Sequence, residues 1–242
     1  MRAKITLRIV QVHPSMPVVH LYGHSHVRRL GHLLKNKKDG KPFNKPNPLV
    51  LYNAWRKLRD STSQDLLPDF GIEGLVTKYF ATDGYTVQST LQRLKENRDT
   101  PRDHQVIFVG DNDQDRYPDP WEAAYAIYAV SDECCSFASG VTIIPALLPR
   151  WEDYEYCRWA GQVNDLLQKL VEQRPTSAGE APKIVFMKFH GALQVTGYTK
   201  RPGDYKRNSV HAIDDKSDNI HLGETGMARF YQRLRMELNK VL

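Results

Sequence analysis

Five short apolar runs, each closed by turn residues and separated by helical periods, constrain this chain most. They are Val18–Gly23, Gly74–Phe80, Val106–Gly110, Val141–Pro145 and Ile184–Phe189. Most are rich in β-branched residues and lack polar alternation, as strands buried on both faces must be. Between them, Val87, Leu91 and Leu94 repeat at helical spacing, and a helix is expected over Trp121–Phe137. Val163, Leu166, Leu167 and Leu170 form another apolar stripe, and Met227, Phe230, Tyr231, Leu234 and Leu238 a last one. Strands alternating with helices imply right-handed βαβ units and a mainly parallel five-stranded sheet covered on both faces. The expected fold is a three-layer α/β/α sandwich.

The chain has 242 residues, 40% apolar and 26% charged, enough to bury a core without staples. One domain over 1–242 is expected, with a lead at 1–16 and a basic loop or insertion at 35–48. No apolar stretch reaches the ~18 residues of a membrane span, and Met1–Gln11 lacks the apolar run of a secretory signal. Three cysteines, none in a CxxC pair, make no disulfide framework and suggest a reducing, intracellular setting. The net charge of +6 permits contact with nucleic acid or an anionic membrane without requiring it. Its local sources include Arg28, Arg29, Lys35, Lys37 and Lys38, and solvated loop is the plainer explanation of these.

Open α/β sheets bind ligands beyond the carboxyl ends of their strands, so the residues just after each strand matter most. After the first comes Gly23-His24-Ser25-His26. Ser25 stands where strand becomes helix, and the free N–H groups there favour a developing oxyanion. A helix N-cap is the structural alternative for Ser25. After the third strand comes Gly110-Asp111-Asn112-Asp113, where Asn112 can offer an amide donor or simply serve a turn. Asp218-Asn219-Ile220-His221 precedes the last helix, and an Asp so placed can orient a His that takes a proton from a serine.

Taken in order, these blocks resemble the SGNH, or GDSL-type, hydrolases. Gly23-His24-Ser25 is similar to Gly-Asp-Ser, Asp83-Gly84 to the block with a donor glycine, Gly110–Asp113 to Gly-x-Asn-Asp, and Asp218–His221 to Asp-x-x-His. A narrower likeness is to the SGNH-type domains carried by invertebrate retroelements, through Gly23–Leu30, Leu147-Leu148-Pro149-Arg150 and Asn164. The resemblance implies a flavodoxin-like fold and a serine esterase acting on small O-acyl esters of lipid or sugar, with no cofactor, metal or obligate protein partner. It implies Ser25 as nucleophile, His221 as general base and then acid, and Asp218 as the orienting carboxylate. Ser25, Gly84 and Asn112 would form the oxyanion hole. His24 departs from the family's Asp. The alternative function is a catalytically weak retroelement accessory module that binds nucleic acid or membrane.

Rival constellations are weaker. His20, His24, His26 and His32 lie close together, but no acid or Cys in that segment completes a metal site. Asp111, Asp113, Asp115, Asp119 and Glu122 have calcium-loop spacing, yet Arg116 stands where the loop needs glycine. Cys134, Cys135 and Cys157 read as buried structural thiols. His190 and His211 lack the Asp-x-x-His spacing and rank below His221 as bases.

Overall fold

A computed structural model describes residues 16–38, 70–150, 153–175, 183–189, 222 and 224–242; the side chains of 32–38, 154, 224–226, 228 and 229 are outside that description. Among the described residues, five strands form one sheet: β1 (Val18–Gly23), β2 (Val76–Ala81), β3 (His104–Phe108), β4 (Thr142–Pro145) and β5 (Ile184–Met187). Every pairing is parallel and the order is β2-β1-β3-β4-β5. The helices are α1 (Ser25–Lys38), α2 (Val87–Glu96), α3 (Pro120–Cys134), α4 (Tyr154–Glu172) and α5 (Glu224–Val241).

Side chains alternate across the sheet and split the core in two. Val19, Leu21, Val106 and Phe108 face one layer, where they pack with Val27 and Leu30 of α1 and Phe230 and Leu234 of α5. Tyr22, Ile107 and Ile144 face the other, with Leu94 of α2, Ile127 of α3 and Val163 of α4. The expected three-layer α/β/α sandwich is therefore present, with the doubly wound 2-1-3-4-5 order. That order reverses direction between β1 and β3, the switch point beyond which open α/β sheets bind their ligands.

Strand limits differ from the apolar runs where polar residues join the ladder. β3 begins at His104, two residues ahead of the expected run, because buried Gln105 is fully engaged. Its amide donates to the Cys134 carbonyl at 2.8 Å and to Thr142 Oγ1 at 2.9 Å, and it accepts from Arg102 Nε at 3.0 Å. β2 starts at Val76 rather than Gly74, whose φ of 75° takes it out of extended geometry. The expected helix over Trp121–Phe137 ends at Cys134 and closes in a 3-10 turn, Cys135–Phe137. The expected basic loop at 35–48 is corrected at its start: α1 continues through Lys38, and 39–48 lie outside the described residues. The lead at 1–15 also lies outside them.

Candidate active site

Three loops meet at the β1/β3 switch point. Gly23 ends β1 where a side chain would not fit: a Cβ there would lie 2.5 Å from the Phe108 carbonyl oxygen and 2.8 Å from Val27 Cγ2. That close approach lets the chain turn directly into α1. The His24 carbonyl accepts from Arg28 N at 3.2 Å, so His24 holds the cap position and Ser25 is the first helical residue. The N-cap explanation of Ser25 thus passes to its neighbour. Ser25 is buried, 7% exposed, at the positive end of α1.

The second loop follows β2. Thr82 N donates to the Gly23 carbonyl at 3.2 Å, carrying the β1–β2 ladder to the ends of both strands. Gly84 then adopts φ 74°, a left-handed conformation that suits glycine, and it faces open space. The third loop follows β3. Asn112 is exposed, and its Nδ2 donates to the Tyr85 carbonyl at 3.0 Å. Arg28, in the first turn of α1, pairs with Asp83 of the second loop at 2.6 Å. The start of α1 with Ser25 and the loops of Gly84 and Asn112 are therefore tied to one another. Asp218 and His221 lie outside the described residues, as do His190 and His211.

Beneath Ser25 runs a buried polar chain that residue spacing did not reveal. His24 Nε2 lies 2.8 Å from Asp111 Oδ2, with both side chains almost wholly buried. Asp111 Oδ1 accepts from the Tyr156 hydroxyl at 2.5 Å and from Leu148 N at 3.3 Å. The Arg150 guanidinium donates to the Asp111 carbonyl and stacks on the Tyr156 ring, 3.8 Å from its centroid. Burial alone would push the Asp111 carboxyl up. The hydrogen bonds it accepts from His24 and Tyr156 outweigh that and hold the group below its ordinary value. Burial and the Asp111 charge push the Tyr156 phenol well up, so it stays a donor. Asn164 brackets Leu147, accepting from its N–H at 2.7 Å and donating to its carbonyl at 3.0 Å. The Leu147–Arg150 phrase and Asn164 thus form the wall that locks Asp111.

On the other side, His24 Nδ1 contacts His26 Nδ1 at a long 3.4 Å, and His26 Nε2 accepts from Leu222 N at 3.2 Å. These partners set the tautomers. His26 must carry its proton on Nδ1 to leave Nε2 free to accept. It then donates to His24 Nδ1, which leaves the His24 proton on Nε2, facing Asp111.

Among the described residues, His24, His26 and Asp111 are the group whose ligating atoms fall close enough for a metal, within 4.8 Å of one another. The earlier expectation that no acid completes this histidine cluster is corrected: Asp111 arrives from another strand. The tautomers nevertheless oppose a metal, because His26 Nδ1 must be protonated to satisfy Leu222. The calcium-spaced acids have other tasks. Asp113 Oδ2 accepts from Val87 N at 2.9 Å at the start of α2, and Asp119 caps α3 through Trp121 N at 2.9 Å. The three cysteines are buried, and burial pushes the thiols of Cys134 to about 12 and Cys157 to about 11. None is set up as a nucleophile.

No family model matches the chain, and no curated protein matches it in sequence. Solved structures do share its fold. A carbohydrate esterase family 3 protein from Talaromyces cellulolyticus superposes with a TM-score of 0.56 at 15% identity, covering 93% of this chain and 97% of that one. A member of the lipolytic G-D-S-L family from Veillonella parvula gives 0.55 at 14% identity, covering 93% and 99%. A GDSL-like lipase from Bacteroides thetaiotaomicron gives 0.54 at 15%, covering 93% and 89%. The fold is that of the GDSL, or SGNH, lipolytic hydrolases. No helix among the described residues is long and apolar enough to cross a membrane.

Proposed function

We propose that the chain is a serine esterase acting on small O-acyl esters. The observation that carries this reading is the position of Ser25. It is the first residue of α1 at the sheet's switch point, with the Gly84 and Asn112 loops tied alongside. In this reading Ser25 Oγ attacks the ester carbonyl carbon while its proton passes to His221, held by Asp218. The negative charge on the carbonyl oxygen is met by the Ser25 and Gly84 N–H groups and the Asn112 amide. The intermediate collapses, His221 returns the proton to the leaving alkoxide, and the acyl group stays on Ser25. Water, deprotonated by His221, then releases the acid.

Substrates with a short acyl chain on a lipid or sugar fit this chemistry. The neighbours described as lipases and as a carbohydrate esterase support both alcohol classes. The narrower kinship we propose, with SGNH-type domains carried by invertebrate retroelements, rests on the Gly23–Leu30 and Leu147–Arg150 phrases and Asn164. An accessory role in nucleic-acid or membrane binding has less support, because Arg28 is already paired with Asp83. The side chains of Lys35, Lys37 and Lys38 lie outside the described residues.

The test is hydrolysis of p-nitrophenyl acetate by the wild type beside Ser25→Ala. Turnover that is lost in the variant, with the fold intact by circular dichroism, is the expected result. Equal turnover in both would refute the reading.

A further inference from the structure

We infer that His26 is a positioning residue for the proposed general base, acting through the backbone next to it. This rests on the esterase reading above. Its ground is the hydrogen bond from Leu222 N to His26 Nε2, 3.2 Å long, buried, and joining residues 196 apart in sequence. Leu222 is the residue that directly follows His221. His26 directly follows Ser25. One side chain therefore joins the peptide beside the nucleophile to the peptide beside the base.

The other end of the imidazole is anchored as well. His26 Nδ1 meets His24 Nδ1, and His24 Nε2 meets Asp111, whose carboxylate is held by Tyr156 and Leu148. The relay has a fixed polarity. It begins at a donor, the Leu222 N–H, and ends at an acceptor, the Asp111 carboxylate. Both rings must therefore be neutral and aligned in one sense. An imidazole so constrained cannot swing, and Leu222 packs beside it, 2% exposed, in the core layer that holds Val27 and Phe230. A general base needs its donor–acceptor distance held closely, and a misplacement of ~1 Å can cost ~10²-fold in rate. His24, standing where related sequences have Asp, is the link that carries this anchorage to Asp111.

The experiment compares His26→Gln, His26→Asn and Ser25→Ala with the wild type, using p-nitrophenyl acetate kinetics and labelling by a fluorophosphonate, which reports an activated serine. Gln extends far enough to accept from Leu222 N; Asn keeps a donor towards His24 but falls short of Leu222. The expected result is a kcat for the Gln variant within roughly threefold of wild type. The Asn variant should lose roughly a hundredfold in kcat and in labelling rate with KM little changed. In parallel, long-range proton–nitrogen NMR correlations of the wild type should place the His26 proton on Nδ1 and the His24 proton on Nε2.

Wild-type kcat in the Asn variant would overturn the proposal, as would equal losses in Asn and Gln or the opposite tautomers. Turnover that rises on adding zinc would overturn it too, because a metal on His26 Nδ1 displaces the proton the relay needs. If the wild type itself shows no turnover dependent on Ser25, the esterase reading has failed and this inference falls with it. That outcome is recognised in the wild-type arm alone.

Discussion

His24 Nε2 and Asp111 Oδ2 lie 2.8 Å apart, both buried, at the ends of the two strands between which the sheet reverses its direction of winding. Ser25 begins α1 directly after His24. Asp111 has four partners: His24, Tyr156, Leu148 N and, at its carbonyl, Arg150.

Asp111→Asn tests the polarity of this chain. An amide nitrogen facing His24 makes two donors meet somewhere between Asp111 and Leu222, whichever tautomers the rings adopt. The expected cost is about 1–3 kcal/mol, read from urea unfolding at neutral pH. Because the folded-state carboxyl lies below its ordinary value of 3.8, its contribution is full above that pH. The gap between variant and wild type should persist down to there and close as pH falls through the lower folded value. A variant as stable as wild type at pH 7 would show that the network is not satisfied as described.

Asn112→Ala should lower kcat by roughly 10²–10³ if its amide serves the oxyanion. The same change releases the Tyr85 carbonyl, so the variant's urea midpoint is read beside its kcat to separate a loosened loop from a lost donor. Gly84→Ala has room for the methyl group but keeps a left-handed φ, with an expected stability cost of about 1–2 kcal/mol. A kcat for Asn112→Ala within threefold of wild type would remove it from the oxyanion hole.

His20 is buried in β1 beside Tyr22 and Phe80, and its folded pKa is lowered from 6.5 to about 4. Burial is the main cause, followed by the charges of Arg102 and Lys78. Between those values the unfolded chain binds a proton that the folded one refuses, so stability should fall as pH drops from 6.5 to 4. His104, also lowered by burial, adds to the slope. Urea midpoints across that window should be flatter in His20→Gln. An unchanged slope would show that His20 does not drive it.

The thiols offer a check on the nucleophile. Native protein should resist a disulfide reagent at pH 8 and react at all three cysteines only when unfolded, because all three thiols are buried and burial also raises those of Cys134 and Cys157. A Cys157→Ser variant should retain its turnover. Loss of activity on thiol modification of the native protein would contradict a serine mechanism.

Much of the fold was legible because its strands are buried on both sides. Runs such as Val106–Val109 then read as continuous apolar segments, and the helices as stripes between them. Their limits were less legible. Gln105 looks unfit for a buried strand until Thr142, Arg102 and the Cys134 carbonyl supply its partners. The positions of Ser25 and Asn112 at strand ends were legible from the strands and turn residues, whereas Gly84 entered only through the family resemblance. The tie from His24 to Asp111 was not, because it depends on β1 and β3 being neighbours, and local sequence does not encode that adjacency. Tyr156 and Arg150 gave no signal of their own either, since an aromatic on a helix usually means core. The nearest hint was His24 itself, a base where an acid was expected, which implies that a carboxylate must come from elsewhere.

The segments that follow β1, β2 and β3 are joined pairwise: Arg28 in the first turn of α1 to Asp83, Asn112 to the Tyr85 carbonyl, and His24 to Asp111. Three members joined at three edges make a triangulated frame, and a triangle cannot shear without stretching a side. The loop ends around Ser25 therefore take their stiffness from geometry as well as from packing. Two of those edges are exposed and individually weak. The buried third edge keeps the frame from becoming an open hinge when either of them breaks.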